Sequence, residues 1–257
     1  MPKINNSNDY IGLEITNNFG SKIKIIEYNG WDNVIVQFED GYKKKIRYDY
    51  FKSKNIKSPY ERRTYGLGYL GEGENKTKEN GKHTYKYKTW DGILQRCYSK
   101  IKQELRPTYK DCTVCEEWHN FQNFGKWFDE NFYQIENETM CLDKDILHKG
   151  NKIYSPETCI FVPNRINVLF TKSDKTRGKY PIGVQKHKNK FIARCSTYNN
   201  NNCNEKYLGS FYSAEEAFNS YKIFKEKSIK QVADEYKDKI PQKLYEAMYN
   251  YKVDITD

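Results

Sequence analysis

The chain has 257 residues, with 44 Lys+Arg against 34 Asp+Glu, a formal net charge of +10 at pH 7 and a pI near 9.0. That excess points to an anionic partner, nucleic acid first, and the polar opening MPKINNSNDY with no apolar run of spanning length argues against a secretory leader and a membrane partner. The seven cysteines are scattered and odd in number, which fits a reducing cytoplasm better than a disulfide framework.

Residues 1–60 read as a compact all-β unit. Ile23 and Ile25 alternate, Val34 to Phe38 forms a strand, and a further strand ends at Ile46, with turns at Asn29-Gly30 and Asp40-Gly41. Short strands at this spacing predict hairpins and a small β-barrel of the Src-homology-three or tudor kind. Lys43, Lys44, Lys45 and Arg47 would give it a basic rim, which can also serve as edge protection. Residues 61–88 are rich in glycine and charge without helical period and read as a linker. Their glycines lack the following Lys-Ser/Thr of a phosphate loop.

Residues 89–172 form a predicted middle domain. One helix carries Trp90, Ile93, Leu94 and Cys97 on a stripe, and a second runs from Cys115 to about Phe132. Trp118, Phe121, Phe124, Trp127 and Phe128 have helical spacing on that second helix, so they read as core. Cys112, Cys115 and His119, with Cys141 or Cys159, have part of a zinc pattern, but no second Cys-x₂-Cys pair exists. The ligand count therefore argues against zinc.

Residues 178–257 read as three strands, a long helix and a last helix opened by Pro241, giving an α+β chain overall. A period of two sends Val184, Phe191, Ala193, Cys195 and Leu208 to one face. Gln185, His187, Lys190, Arg194, Ser196 and Tyr207 go to the other, a basic, amide-bearing and aromatic set suited to phosphates and base edges. Lys186 and Lys188 add charge beside them.

Two stretches carry family resemblances. Gly183-Val184, Lys190-Phe191-Ile192-Ala193, Tyr207 to Phe211 and Ser213 to Ala217 resemble the ethylene-response-factor type of DNA-binding domain. The resemblance implies a three-stranded sheet in the major groove, with Gln185, His187, Arg194, Ser196 and Tyr207 toward DNA. That family favours arginine where Gln185 and Ser196 stand, so base preference would differ.

Leu142-Asp143-Lys144-Asp145, Gly150-Asn151, Tyr154 to Cys159, Asn164 and Asn167 resemble the ββα-metal core of HNH nucleases. More closely they resemble a group of phage and mobile-element proteins, in which a Trp…Arg-Cys-Tyr helix (here Trp90…Arg96-Cys97-Tyr98) and a Val-Cys-Glu-Glu-Trp segment (here from Val114) precede the block. The resemblance implies Mg²⁺ or another divalent cation held by Asp143 and Asn167 (or Asn164), with Lys144 standing where the catalytic histidine would be. A protonated lysine cannot take a proton from water, although Asp145 and His148 lie in the same turn as an alternative base and ligand. Three functions follow as expectations: double-stranded DNA binding by a degenerate HNH-like protein in regulation or counter-defence, metal-dependent cleavage or nicking of DNA, and binding of an acidic host protein.

Overall fold

The computed structural model describes residues 9–171, 179–199 and 202–257, so the polar opening MPKINNSN lies outside the described residues. Two compact units divide the chain. The first runs through Lys110 and takes up Val114–Trp127, and the second comprises Asp111–Thr113 and Phe128–Asp257. Helices and several small sheets together make an α+β protein.

In the first unit, β1 (Glu14–Thr16), β2 (Lys22–Tyr28), β3 (Val34–Phe38) and β4 (Lys43–Ile46) form an antiparallel meander. The alternating Ile23, Ile25, Val34, Val36, Phe38 and Ile46 all face one buried side. The expected barrel does not close: the order is β1-β2-β3-β4, and β1 and β4 remain edges among the described residues. Strands of three and four residues offer too little backbone for a closing ladder. Phe51 of the following α1 (Tyr48–Ser53), together with Ile56, completes the core instead.

Residues 61–88 are structured rather than a linker. β5 (Lys78–Glu79) and β6 (Lys82–His83) make a hairpin, and both turn residues, Asn80 (φ 49°) and Gly81 (φ 75°), are left-handed as a primed turn requires. The Asn75 amide nitrogen donates to Gln122 Oε1 at 2.9 Å. Gly68 sits so close to α2 (Tyr85–Tyr98) that a Cβ there would lie 2.5 Å from Leu94. That glycine answers a close approach, which composition alone reads as flexibility.

Thr84 caps α2 by accepting from the Tyr87 amide, and the predicted stripe of Trp90, Ile93, Leu94 and Cys97 is its buried face. A short α3 (Lys100–Leu105) and β7 (Thr113–Val114) follow. The helix predicted from Cys115 is broken. A 3₁₀ turn covers Glu116–His119, Asn120 is extended, and α4 spans Phe121–Asn131. The Tyr69 backbone bridges the break, its N–H donating to His119 O and its carbonyl accepting from Phe121 N, both at 2.9 Å.

In the second unit, β8 (Met140–Asp143) pairs antiparallel with β10 (Ile160–Pro163), from Ile160 opposite Asp143 to Pro163 opposite Met140. The short β9 (Ile153–Tyr154) lies between them in sequence, and α5 (Asn164–Leu169) follows β10 directly. A second sheet, β11 (Val184–His187), β12 (Lys190–Asn199) and β13 (Asn202–Phe211), precedes α6 (Ala214–Tyr236) and α7 (Gln242–Asn250). Ser213 and Glu216 form a capping box that starts α6.

The first half of α6 buries Phe218 and Tyr221 against Cys195, Val184 and Leu208 of the sheet. Its second half buries Ile229, Val232, Ala233 and Tyr236 with Ile160, Val162, Ile166 and Leu169 of the ββα segment and with Leu244 and Met248 of α7. One helix thus serves two cores, and the segments expected as separate domains at 89–172 and 178–257 share it.

Candidate nucleic-acid interface and ββα site

The three-stranded sheet has one face on α6 and one face open. Gln185 stands opposite Ile192, which stands opposite Ser210, and His187 stands opposite Lys190. Gln185, His187, Lys190 and Ser196 are exposed, and Tyr207 is 58% exposed. A β-bulge at Ala193/Arg194 shifts the register so that Arg194 pairs with Tyr207 while Leu208 still points inward. Leu208, the extra residue of β13 at the bulge, packs with Phe218 and Tyr221 of α6. Gly183, just before β11, is a point of close approach to α6. Its φ is +76°, and a Cβ there would meet the Tyr221 ring at 2.1 Å.

Two expected contact residues are displaced from this open face. Lys186 pairs with Phe191 and so shares the row of Val184, because register, not charge, selects the face. Lys188 occupies the turn between β11 and β12 with φ 52°. Two residues were missed. Tyr212, 79% exposed, lies beside Lys190, whose ammonium is 4.9 Å from its ring centroid. Glu205 reaches diagonally to Arg194, Oε2 to Nη1 at 2.7 Å. Alternation from Ser210 already points Tyr212 outward, whereas the Glu205–Arg194 contact depends on the bulge.

The ββα segment has its own geometry. Asp143 ends β8, and its Oδ1 accepts the backbone N–H groups of Asp145 (2.9 Å) and Ile146 (2.8 Å). Burial, followed by the neighbouring Asp145, pushes the Asp143 carboxyl up to about 6. Lys144 is buried: its ammonium donates to Asn151 O at 3.0 Å and lies 3.3 Å from Asp145 Oδ2. Asn151 returns the tie, its Nδ2 donating to Lys144 O and Ile153 O, each at 2.7 Å. His148 is exposed in the same loop, and no hydrogen bond joins its ring to Asp143 or Asp145 among the described residues. Asn164 and Asn167 lie one turn apart on α5. Asn164 Oδ1 accepts from Cys141 Sγ at 3.7 Å, and the Asn167 carbonyl accepts from Phe170 N at 3.2 Å.

This donor set does not fit a divalent cation. One Asp143 oxygen is engaged by two backbone N–H groups, and an ammonium already occupies the positive position beside Asp145. Among the described residues no three His, Cys, Asp or Glu side chains gather as a ligand set. Lys144 supplies the local positive charge and ties the loop ends together.

Of the residues with part of a zinc pattern, Cys112 and His119 are buried and Cys115 is half-buried. Cys112 is buried and its thiol is pushed up by that burial, while burial and then Arg62 hold His119 below the ordinary imidazole value. No helix of the described residues is long and apolar enough to cross a membrane. Comparison with protein-family models, with curated proteins and with solved structures gave no match.

Proposed function

We propose that the open face of the β11–β13 sheet binds double-stranded DNA, with the ββα segment as a non-cleaving support. The observation carrying this reading is that Gln185, His187, Lys190, Arg194, Ser196 and Tyr207 share one face uncovered by α6. Three strands about 4.8 Å apart span roughly 10 Å, a width the major groove of about 12 Å accepts. Lys190 and Arg194 suit phosphates, Gln185 and His187 suit base edges, and Tyr207 packs on sugar or thymine methyl groups. The resemblance of this stretch to the ethylene-response-factor type, and of the Asp143–Asn167 block to HNH proteins of phages and mobile elements, agrees with a DNA role in regulation or counter-defence.

Fluorescence anisotropy with a labelled random duplex tests the reading. The double variant Lys190→Ala/Arg194→Ala is expected to lose affinity and to show a shallower salt dependence, by ~0.9 in slope for each lost phosphate contact. Unchanged binding would remove the sheet from the account. Plasmid incubated with Mg²⁺ or Mn²⁺ is expected to stay intact, and cutting that Asp143→Ala abolishes would replace support with catalysis.

A further inference from the structure

A separate patch on the first unit has the chemistry of a base-stacking platform. Trp31, in the turn between β2 and β3, is 58% exposed, and Tyr50 of α1 is 52% exposed. Arg47 lies between them, its guanidinium carbon 4.7 Å from the Trp31 ring centroid and 5.7 Å from that of Tyr50. Asp49 grips that guanidinium with both oxygens, at 3.0 and 2.7 Å, and so fixes its plane. The Trp31 backbone is fixed too, since its carbonyl accepts from Tyr48 N at 2.6 Å.

Beside the platform runs a groove of about 630 Å³ along the free edge of β4, lined by Lys44, Lys45, Arg47, Tyr50 and Lys57 with Asp32. Four cations face two carboxylates, Asp32 and Asp49, so the groove is net positive. Lysines alone on an edge strand are accounted for by protection against sheet-to-sheet pairing. Exposed Trp31 and Tyr50 serve no such purpose, because bare aromatic surface invites association. Rigid aromatic faces beside a cationic groove are what unpaired bases and their phosphates require. A duplex keeps its base faces stacked on one another and cannot use them.

We propose that this groove is a second nucleic-acid site, one that takes single strands through Trp31, Arg47 and Tyr50 for the bases and Lys44, Lys45 and Lys57 for the phosphates. It stands independently of the duplex reading, because it shares no residue with the β11–β13 face.

Trp90, Trp118 and Trp127 are buried, so quenching of tryptophan emission by a bound strand reports Trp31. Titration of the full chain with oligothymidylate at low salt is expected to give saturable quenching. By anisotropy with a labelled strand, Trp31→Ala and Tyr50→Ala are each expected to weaken binding about tenfold. Lys45→Glu is expected to weaken it and to reduce the salt slope. The Lys190→Ala/Arg194→Ala variant is expected to leave the Trp31 quenching in place. Absence of quenching, equal quenching by polyglutamate, or unchanged affinity in both aromatic variants with native circular dichroism would overturn the proposal.

Discussion

Arg194 and Glu205 meet at 2.7 Å on the open face of the β11–β13 sheet, so a cation suited to phosphate is already partly neutralised by its own chain. Both side chains are about half exposed, and such pairs contribute little to stability, about 0–1 kcal/mol. Glu205→Gln is therefore expected to fold normally and to bind duplex severalfold more tightly, with a steeper salt dependence. Equal affinity in anisotropy would show that Arg194 does not reach phosphate. Asp143 makes a different prediction. Its folded carboxyl titrates near 6 against 3.8 for the free group, because burial and Asp145 disfavour the anion. The folded state then holds its proton more tightly than the unfolded state, so this group lowers stability as pH rises from about 3.8 through about 6. Asp143→Asn keeps an oxygen acceptor for the two backbone donors and carries no charge. Urea midpoints of the variant are expected to lose that decline and to match or exceed the parent at pH 7. A less stable variant at pH 7 would mean the anion is held by a favourable partner.

At the scale of elements, α6 decides how the second unit behaves. Phe218 and Tyr221 lie under the sheet, and Ile229, Val232 and Ala233 lie on the ββα segment. Ile229 is completely buried, and Ile229→Ala is expected to cost about 2–5 kcal/mol. Because the helix is common to both cores, hydrogen exchange is expected to speed up in β12 as well as in β8 and β10. Exchange faster in β8 and β10 alone would mean the two cores unfold separately. Ser213→Ala removes the cap of the same helix and is expected to cost about 1 kcal/mol by urea unfolding. Lys144 acts on a loop rather than a helix. Its ammonium ties Asn151 to Asp145, so Lys144→Met is expected to destabilise by about 1–3 kcal/mol. Stability unchanged in that variant would show the tie to be dispensable.

For the whole molecule, the excess of 44 Lys+Arg over 34 Asp+Glu sets the long-range field. Binding to any nucleic acid is expected to weaken steeply with salt, through release of counterions. On the proposed reading, the contacts that would convert this general attraction into a defined site are few. They would sit on two surfaces, the open β11–β13 face of the second unit and the Trp31–Tyr50 platform of the first. Strand-specific competition separates them: duplex is expected to displace duplex from the first and to leave Trp31 quenching by oligothymidylate largely in place.

The sequence by itself determined the periodic elements. The α2 stripe, the α4 aromatics around Phe124, and the inward set Val184, Ala193 and Cys195 follow from the 3.6 and 2.0 periods of side-chain direction. Gln185, His187, Arg194 and Tyr207 were legible as one face for the same reason. Tertiary structure alone decided the rest. Whether a meander closes depends on strand length and on what else covers the core, here Phe51 and Ile56. The glycine-rich 61–88 stretch is ordered by distant partners such as Gln122 and Leu94, which no local pattern announces. Arg194 met Glu205 through a bulge, whereas the place of Lys186 in the row of Val184 already followed from the two-residue alternation. The Asp143–Lys144 site turned on which charge filled the loop, because contacts between residues far apart in the chain are fixed by packing and not by spacing.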